Sequence, residues 1–235
     1  MPHCRASKAA APDFERCACY LIPAPSYRKF ELGTFIEYGA TDWLTIVATP
    51  SFDRIQQTPS PGVTQTTTGI GDTAIGPRLK IFQSPNLVLS VQGLLRPPLG
   101  LQFNSANESY DHSRIWTGEL RGLIGYSSQI RGYDYFADFE AGYRWNDMTT
   151  PNEWRSDLTL GVHATPVFLV LMQNFTAVSD GRRSTNPSYY WDKGQVSGVY
   201  AFNAAWSGQL GAFATLFGRN AGREIGPMAA LWYKF

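Results

Sequence analysis

Charged residues stand at alternate positions through much of the chain, and their types are those that move protons, bind ions or shape an electric field. Asp138, Glu140 and Arg144 share one face of YDYFADFEAGYRW (133–145) when it is read with period two. Arg155, Asp157 and His163 share a face of the following segment, as do Asp72, Arg78 and Lys80 in GIGDTAIGPRLKIF (69–82). Glu37, Arg96, Glu119 and Arg121 complete the set. Mixed signs on one face suit two roles. They can set a field across a water-filled constriction, or they can pair as interior salt bridges that plug and stiffen a small barrel. The spacing leaves both open.

Catalysis has less support. A hydrolase needs a serine nucleophile, a histidine and a group that orients it. His163 has Thr165 two residues on and no serine at that spacing, and His112–Ser113 lies in a long polar connection. The expectation is that the chain is not an enzyme and that His163 is a hydrogen-bonded inner residue. The GxG at Gly69–Gly71 is no nucleotide loop, because no helix follows it. Cys4, Cys17 and Cys19 all precede residue 20, and no His or Cys cluster follows to complete a zinc set. No metal or cofactor is expected.

These residues need elements to hold them, and composition narrows the choice. The chain has 235 residues, with 20 Lys and Arg against 19 Asp and Glu, a net charge of +1. That balance argues against a nucleic-acid partner, which calls for a basic excess. Charged residues at 17% and aromatics at 14% exclude a disordered chain, whose bias is the reverse. No apolar run approaches the roughly 18 to 20 residues of a membrane helix. Barrel strands alternate and never produce such runs.

The alternation has an apolar side. Tyr133, Tyr135, Ala137, Phe139, Ala141, Tyr143 and Trp145 oppose the charged face of 133–145. Trp154, Ser156, Leu158, Leu160, Val162 and Ala164 do so in the next segment, and Ile225, Pro227, Ala229, Leu231, Tyr233 and Phe235 share a face at the end. About eleven strands follow from this reading, at 28–39, 42–55, 69–82, 86–97, 114–127, 132–146, 153–164, 166–178, 191–203, 205–218 and 224–235. Most exceed the usual soluble strand of about 5 or 6 residues and match a tilted membrane-spanning one. Short connections alternate with long ones (56–68, 98–113, 146–152, 179–190, 219–223), as periplasmic turns alternate with outer loops. Tyr38, Tyr126, Tyr133, Trp206 and Phe235 fall near the short turns. Phe52, Trp145, Trp154 and Trp191 fall near the long ones, giving two aromatic bands.

The expected fold is all-β: an antiparallel transmembrane β-barrel over residues 28–235, with about 12 strands natively and about 11 recognisable. The ending LWYKF places Leu231, Tyr233 and Phe235 as an outward assembly signal for barrel-assembly machinery, although Ala230 and Met228 replace the usual glycine and polar residue. Residues 1–27 are irregular and lack a signal peptide's apolar core. An even strand count requires one more strand. Residues 14–22 (FERCACYLI) are one source, and an upstream native start is the preferred one.

Three stretches, FIEYGATDWLTI (35–46), GIGDTAIGPRLKIF (69–82) and GRNAGREIGPMAALWYKF (218–235), resemble the outer-membrane β-barrel family named for the meta pathway of phenol degradation. In the first, Gly39 and Asp42 supply turn chemistry. In the second, Ala74 and Gly76 leave room on the inner face, while Thr73, Ile75, Pro77, Leu79 and Ile81 face lipid. The resemblance implies a porin-like role in the bacterial outer membrane, with lipid and a small hydrophobic solute as partners. The expected function is passive passage of a small aromatic or apolar solute. A structural or exopolysaccharide-associated envelope barrel, or a soluble β-barrel binding protein, are the alternatives.

Overall fold

In a computed structural model of the chain, residues 26–58, 64–104, 109–112, 116–146, 151–181 and 188–235 are described. The three cysteines, the 14–22 segment and Ser113 lie outside them. Period-two alternation suits strands, and among the described residues there are sixteen strands and no helix. They are β1 (Ser26–Gly33), β2 (Ile36–Gly39), β3 (Leu44–Ala48), β4 (Ser51–Thr58), β5 (Gln65–Ile70), β6 (Ile75–Gln83), β7 (Leu87–Arg96), β8 (Leu101–Asn104), β9 (Ser109–His112), β10 (Thr117–Ile130), β11 (Tyr133–Trp145), β12 (Glu153–Thr165), β13 (Phe168–Ser179), β14 (Tyr190–Ala201), β15 (Trp206–Arg219) and β16 (Ile225–Tyr233). One antiparallel sheet has eleven strands in the order β16-β15-β14-β13-β12-β11-β10-β7-β6-β3-β2. Sheets β1-β4-β5 and β8-β9 are smaller.

The small sheet β1-β4-β5 continues the large one. The strands expected at 28–39, 42–55 and 69–82 are each interrupted once, at Thr34–Phe35, Thr49–Pro50 and Gly71–Ala74. Pro50 has no N–H to give the ladder, and its carbonyl instead accepts from the Thr34 N–H at 2.9 Å. Gly71 lies so close to β4 that a Cβ there would meet Ser51 Oγ at 2.5 Å. Backbone bonds cross the break (Thr49 N–H to Ala74 O, 2.8 Å; Gly71 N–H to Ser51 O, 2.9 Å), so the three strands bend together rather than end. The connection expected at 98–113 contains the β8-β9 hairpin, and the one at 56–68 is shortened by β4 and β5.

Register fixes which residues share a face. Directly opposed residues of an antiparallel pair point the same way. Leu120, Tyr143, Trp154, Val178 and Tyr190 form one row across β10 to β14. This face is apolar and exposed: Trp154 is 61% accessible, Leu210 72% and Ile225 85%. Gln92, Arg121, Gly142, Arg155, Ala177 and Trp191 form a row on the opposite face. That face is polar and covered, with Glu119 only 3% accessible.

The polar face is concave. Asp72 and Arg144 lie at either end of β6-β7-β10-β11, three strand spacings or about 14 Å apart on a flat sheet. Arg144 Nη1 nevertheless reaches Asp72 Oδ2 at 3.1 Å. Among the described residues, β16 pairs with β15 alone and β2 with β3 alone, so the sheet presents two edges.

Candidate functional site: a charged cluster on the concave face

Glu119 on β10 is the centre of the cluster. Its carboxylate accepts from Arg96 Nη2 of β7 at 2.6 Å and from Arg144 Nε of β11 at 2.8 Å. Arg121, two residues along β10, also donates to it. Arg96 Nε reaches Asp72 at 2.7 Å. Arg121 Nη1 donates to Glu140 at 2.9 Å and to Asp157 on β12. One network therefore ties the β5–β6 link to β7, β10, β11 and β12. Glu140 and Asp157 stand directly opposed, and their shared Arg121 offsets the repulsion.

Of the residues expected on this face, Asp72, Glu119, Arg121, Glu140, Arg144 and Asp157 come together, with Arg96. Arg78 pairs separately with Glu37 and donates to Gln92 at 2.7 Å. Lys80 donates to Gln83 at 2.6 Å. Asp138 lies two rungs from Glu140 toward the short turns, beyond the network. His163 was expected to be hydrogen-bonded, but its Nδ1 is buried with no partner among the described residues. Arg155 enters none of these ion pairs; its guanidinium carbon is 5.6 Å from the centre of the Trp191 ring.

Sequence reading did not single out Glu153, Tyr189, Lys193 or Glu224. The Tyr189 hydroxyl donates to Glu153. Burial, and then the Glu153 carboxylate, push that phenol well above its ordinary range, so it remains a donor. Lys193 pairs with Glu224 at 2.5 Å. Trp191, expected in an aromatic band, instead lies on the polar face, opposite Ala177 and between Arg155 and Lys193. Nearness to a long connection had suggested the outer face for Trp191.

On β12 to β14 the concave face loses charge toward the short turns, whereas Glu37, Arg78, Lys80 and Asp138 keep it charged on β2, β6 and β11. Gln195 donates to Gln173 at 2.8 Å and Gln173 to Thr159 at 3.2 Å, an amide ladder across three strands. Below it Leu169, Leu171 and Val199 cluster with Phe136. The Phe136 ring lies on Gly161, where a Cβ would come within 2.2 Å of it. This part of the face thus grades from ionic to amide to apolar. Among the described residues no cluster of His, Cys, Asp or Glu is placed to hold a metal.

No protein-family model matches the chain, and no curated protein matches it.

Proposed function

We propose that the chain is an outer-membrane β-barrel whose concave face lines a path for a small solute. The observation that carries this reading is the inverted burial: large apolar side chains such as Leu210 and Ile225 are exposed, while Glu119 and Arg96 are covered. Water rewards the opposite arrangement, and lipid rewards this one. Tyr143 packs edge-on against Trp145 and Trp154, with ring centres 5.2 and 4.8 Å apart, at the long-loop end of the outer face. Trp206 and Tyr233 stack at 4.6 Å near the short turns. The two groups suit the two aromatic girdles of a membrane barrel. Closure joins the β1/β2 edge to β16 through one further strand, which gives the even count of bacterial barrels. Leu231, Tyr233 and Phe235 serve as the outward assembly signal.

The resemblance to the meta-pathway barrel family points the same way, to passive passage rather than enzymatic chemistry. The ionic network favours a second reading, a sealed structural envelope barrel, because paired charges and the Phe136 cluster fill the same face. Two measurements decide. A heat-modifiability gel of the full-length protein from outer membranes is expected to show a band that shifts on boiling; an unshifted, detergent-free soluble protein overturns the barrel. Planar-bilayer conductance is expected to show discrete openings; a folded barrel that never conducts is the sealed one.

A further inference from the structure

Among the described residues five arginines lie on the concave face, and four have carboxylate partners: Arg78 with Glu37, Arg96 with Asp72 and Glu119, Arg121 with Glu119, Glu140 and Asp157, and Arg144 with Asp72 and Glu119. Arg155 has none among the described residues, and its buried Nε has no acceptor there. Glu153 and Glu119 attract it through space without a direct bond, and a covered guanidinium N–H with no acceptor is costly. Such an orphan calls for an unseen water or ion.

The surroundings narrow what that group is. Arg155 and Trp191 flank Ala177 in one register row. Ala177 is fully buried and small, so the two longer side chains lean together above it. Lys193 Nζ is 4.9 Å from the same ring centre, but Glu224 already neutralises it. One guanidinium with an unpaired Nε therefore stands beside one indole. Two residues either side of Arg155 on β12, Glu153 Oε2 and Asp157 Oδ1 are also buried without donors among the described residues. They weaken the hold of any anion on Arg155, oppose a dianion more strongly than a monoanion, and suit a water or a ligand hydroxyl.

We infer that Arg155 and Trp191 form a solute-binding station for an aromatic monocarboxylate. The carboxylate takes the guanidinium fork, whose donors match its two oxygens. The ring of the solute lies against the indole in an offset or edge-on arrangement. This names the solute class for the passage proposed above and rests on that reading of the concave face.

Isothermal titration of the full-length protein in detergent with benzoate, benzyl alcohol, acetate and phthalate tests it. Benzoate is expected to bind at least tenfold more tightly than each of the other three. Arg155→Gln is expected to abolish the preference over benzyl alcohol, and Trp191→Leu the preference over acetate. Arg155→Lys keeps the charge and loses the fork, and an intermediate affinity is expected. A heat-shift gel establishes that each variant is folded; should Arg155→Gln fail to fold, the lysine and leucine variants carry the test. Equal binding of benzoate and benzyl alcohol, or an unchanged benzoate affinity in folded Arg155 and Trp191 variants, overturns the station. Salt conductance separates the two proposals. A conducting protein without benzoate preference loses the station and keeps the passage. Arg155-dependent benzoate binding in a protein that never conducts keeps the station and overturns the passage.

Discussion

Glu119 is the anion on which three guanidiniums converge, and its loss leaves buried positive charge without a counterpart. Breaking a buried pair from one side costs about 3–5 kcal/mol. Glu119→Gln is therefore expected to lower the urea midpoint of the refolded protein by an amount of that size, read from the heat-shifted band. Lys29→Met removes a more accessible cation that pairs with Glu31 at 2.7 Å and with the buried Asp53 at 3.1 Å. It is expected to cost about 1–3 kcal/mol in the same assay, less than Glu119→Gln, because one buried carboxylate loses its cation. The face that holds these groups was legible from alternation, because Asp138, Glu140 and Arg144 occupy every second or fourth position. Their partners were not, because partnership depends on register between strands far apart in sequence. Asp72 meets Arg144 across 72 residues. Trp191 was misplaced for a related reason. In YYWDKGQ both parities mix polar and aromatic residues, and the register against β15 shifts between Asp192 and Lys193, where β15 carries the extra residue Leu216.

At the scale of the element, the strands were legible and their interruptions were not. Pro50 and Gly71 each disturb a strand locally, but a shared bend of three strands emerges only when they lie side by side. The tight turn between β10 and β11 is easier to account for: Arg131 and Gly132 have φ of 53° and 85°, the pattern of a two-residue primed hairpin turn. Gly132→Ala forces a methyl into the left-handed region, where the cost is roughly 1–2 kcal/mol. Its thermal unfolding temperature in detergent is expected to fall, whereas Arg131→Asn, which suits that region, is expected to raise it. Phe136 on Gly161 joins β11 to β12 through a ring laid on bare backbone. Phe136→Ala is expected to cost about 3–5 kcal/mol and, in the proposed channel, to increase single-channel conductance measured in planar bilayers.

For the molecule as a whole, the same apolar face is either a lipid contact or a hidden core, and one substitution separates them. Leu160 lies mid-strand on the outer face and is 42% accessible. In a membrane barrel, Leu160→Arg is expected to destabilise by about 2–4 kcal/mol in refolding into vesicles; unchanged stability there counts against lipid contact. The ionic network is also lopsided. It runs from the β5–β6 link to β12, while β13 to β16 carry Lys193–Glu224 as their ion pair among the described residues. If the protein is drawn out of a bilayer by its C-terminal end, hairpin by hairpin, β16 with β15 and then β14 with β13 leave against backbone bonds, packing and that one pair. The third pull, on β12 with β11, must separate Arg121 from Asp157 and Arg144 from Glu119. Rupture force in such a recording is expected to jump at that step, making the C-terminal third of the sheet mechanically soft and its middle stiff.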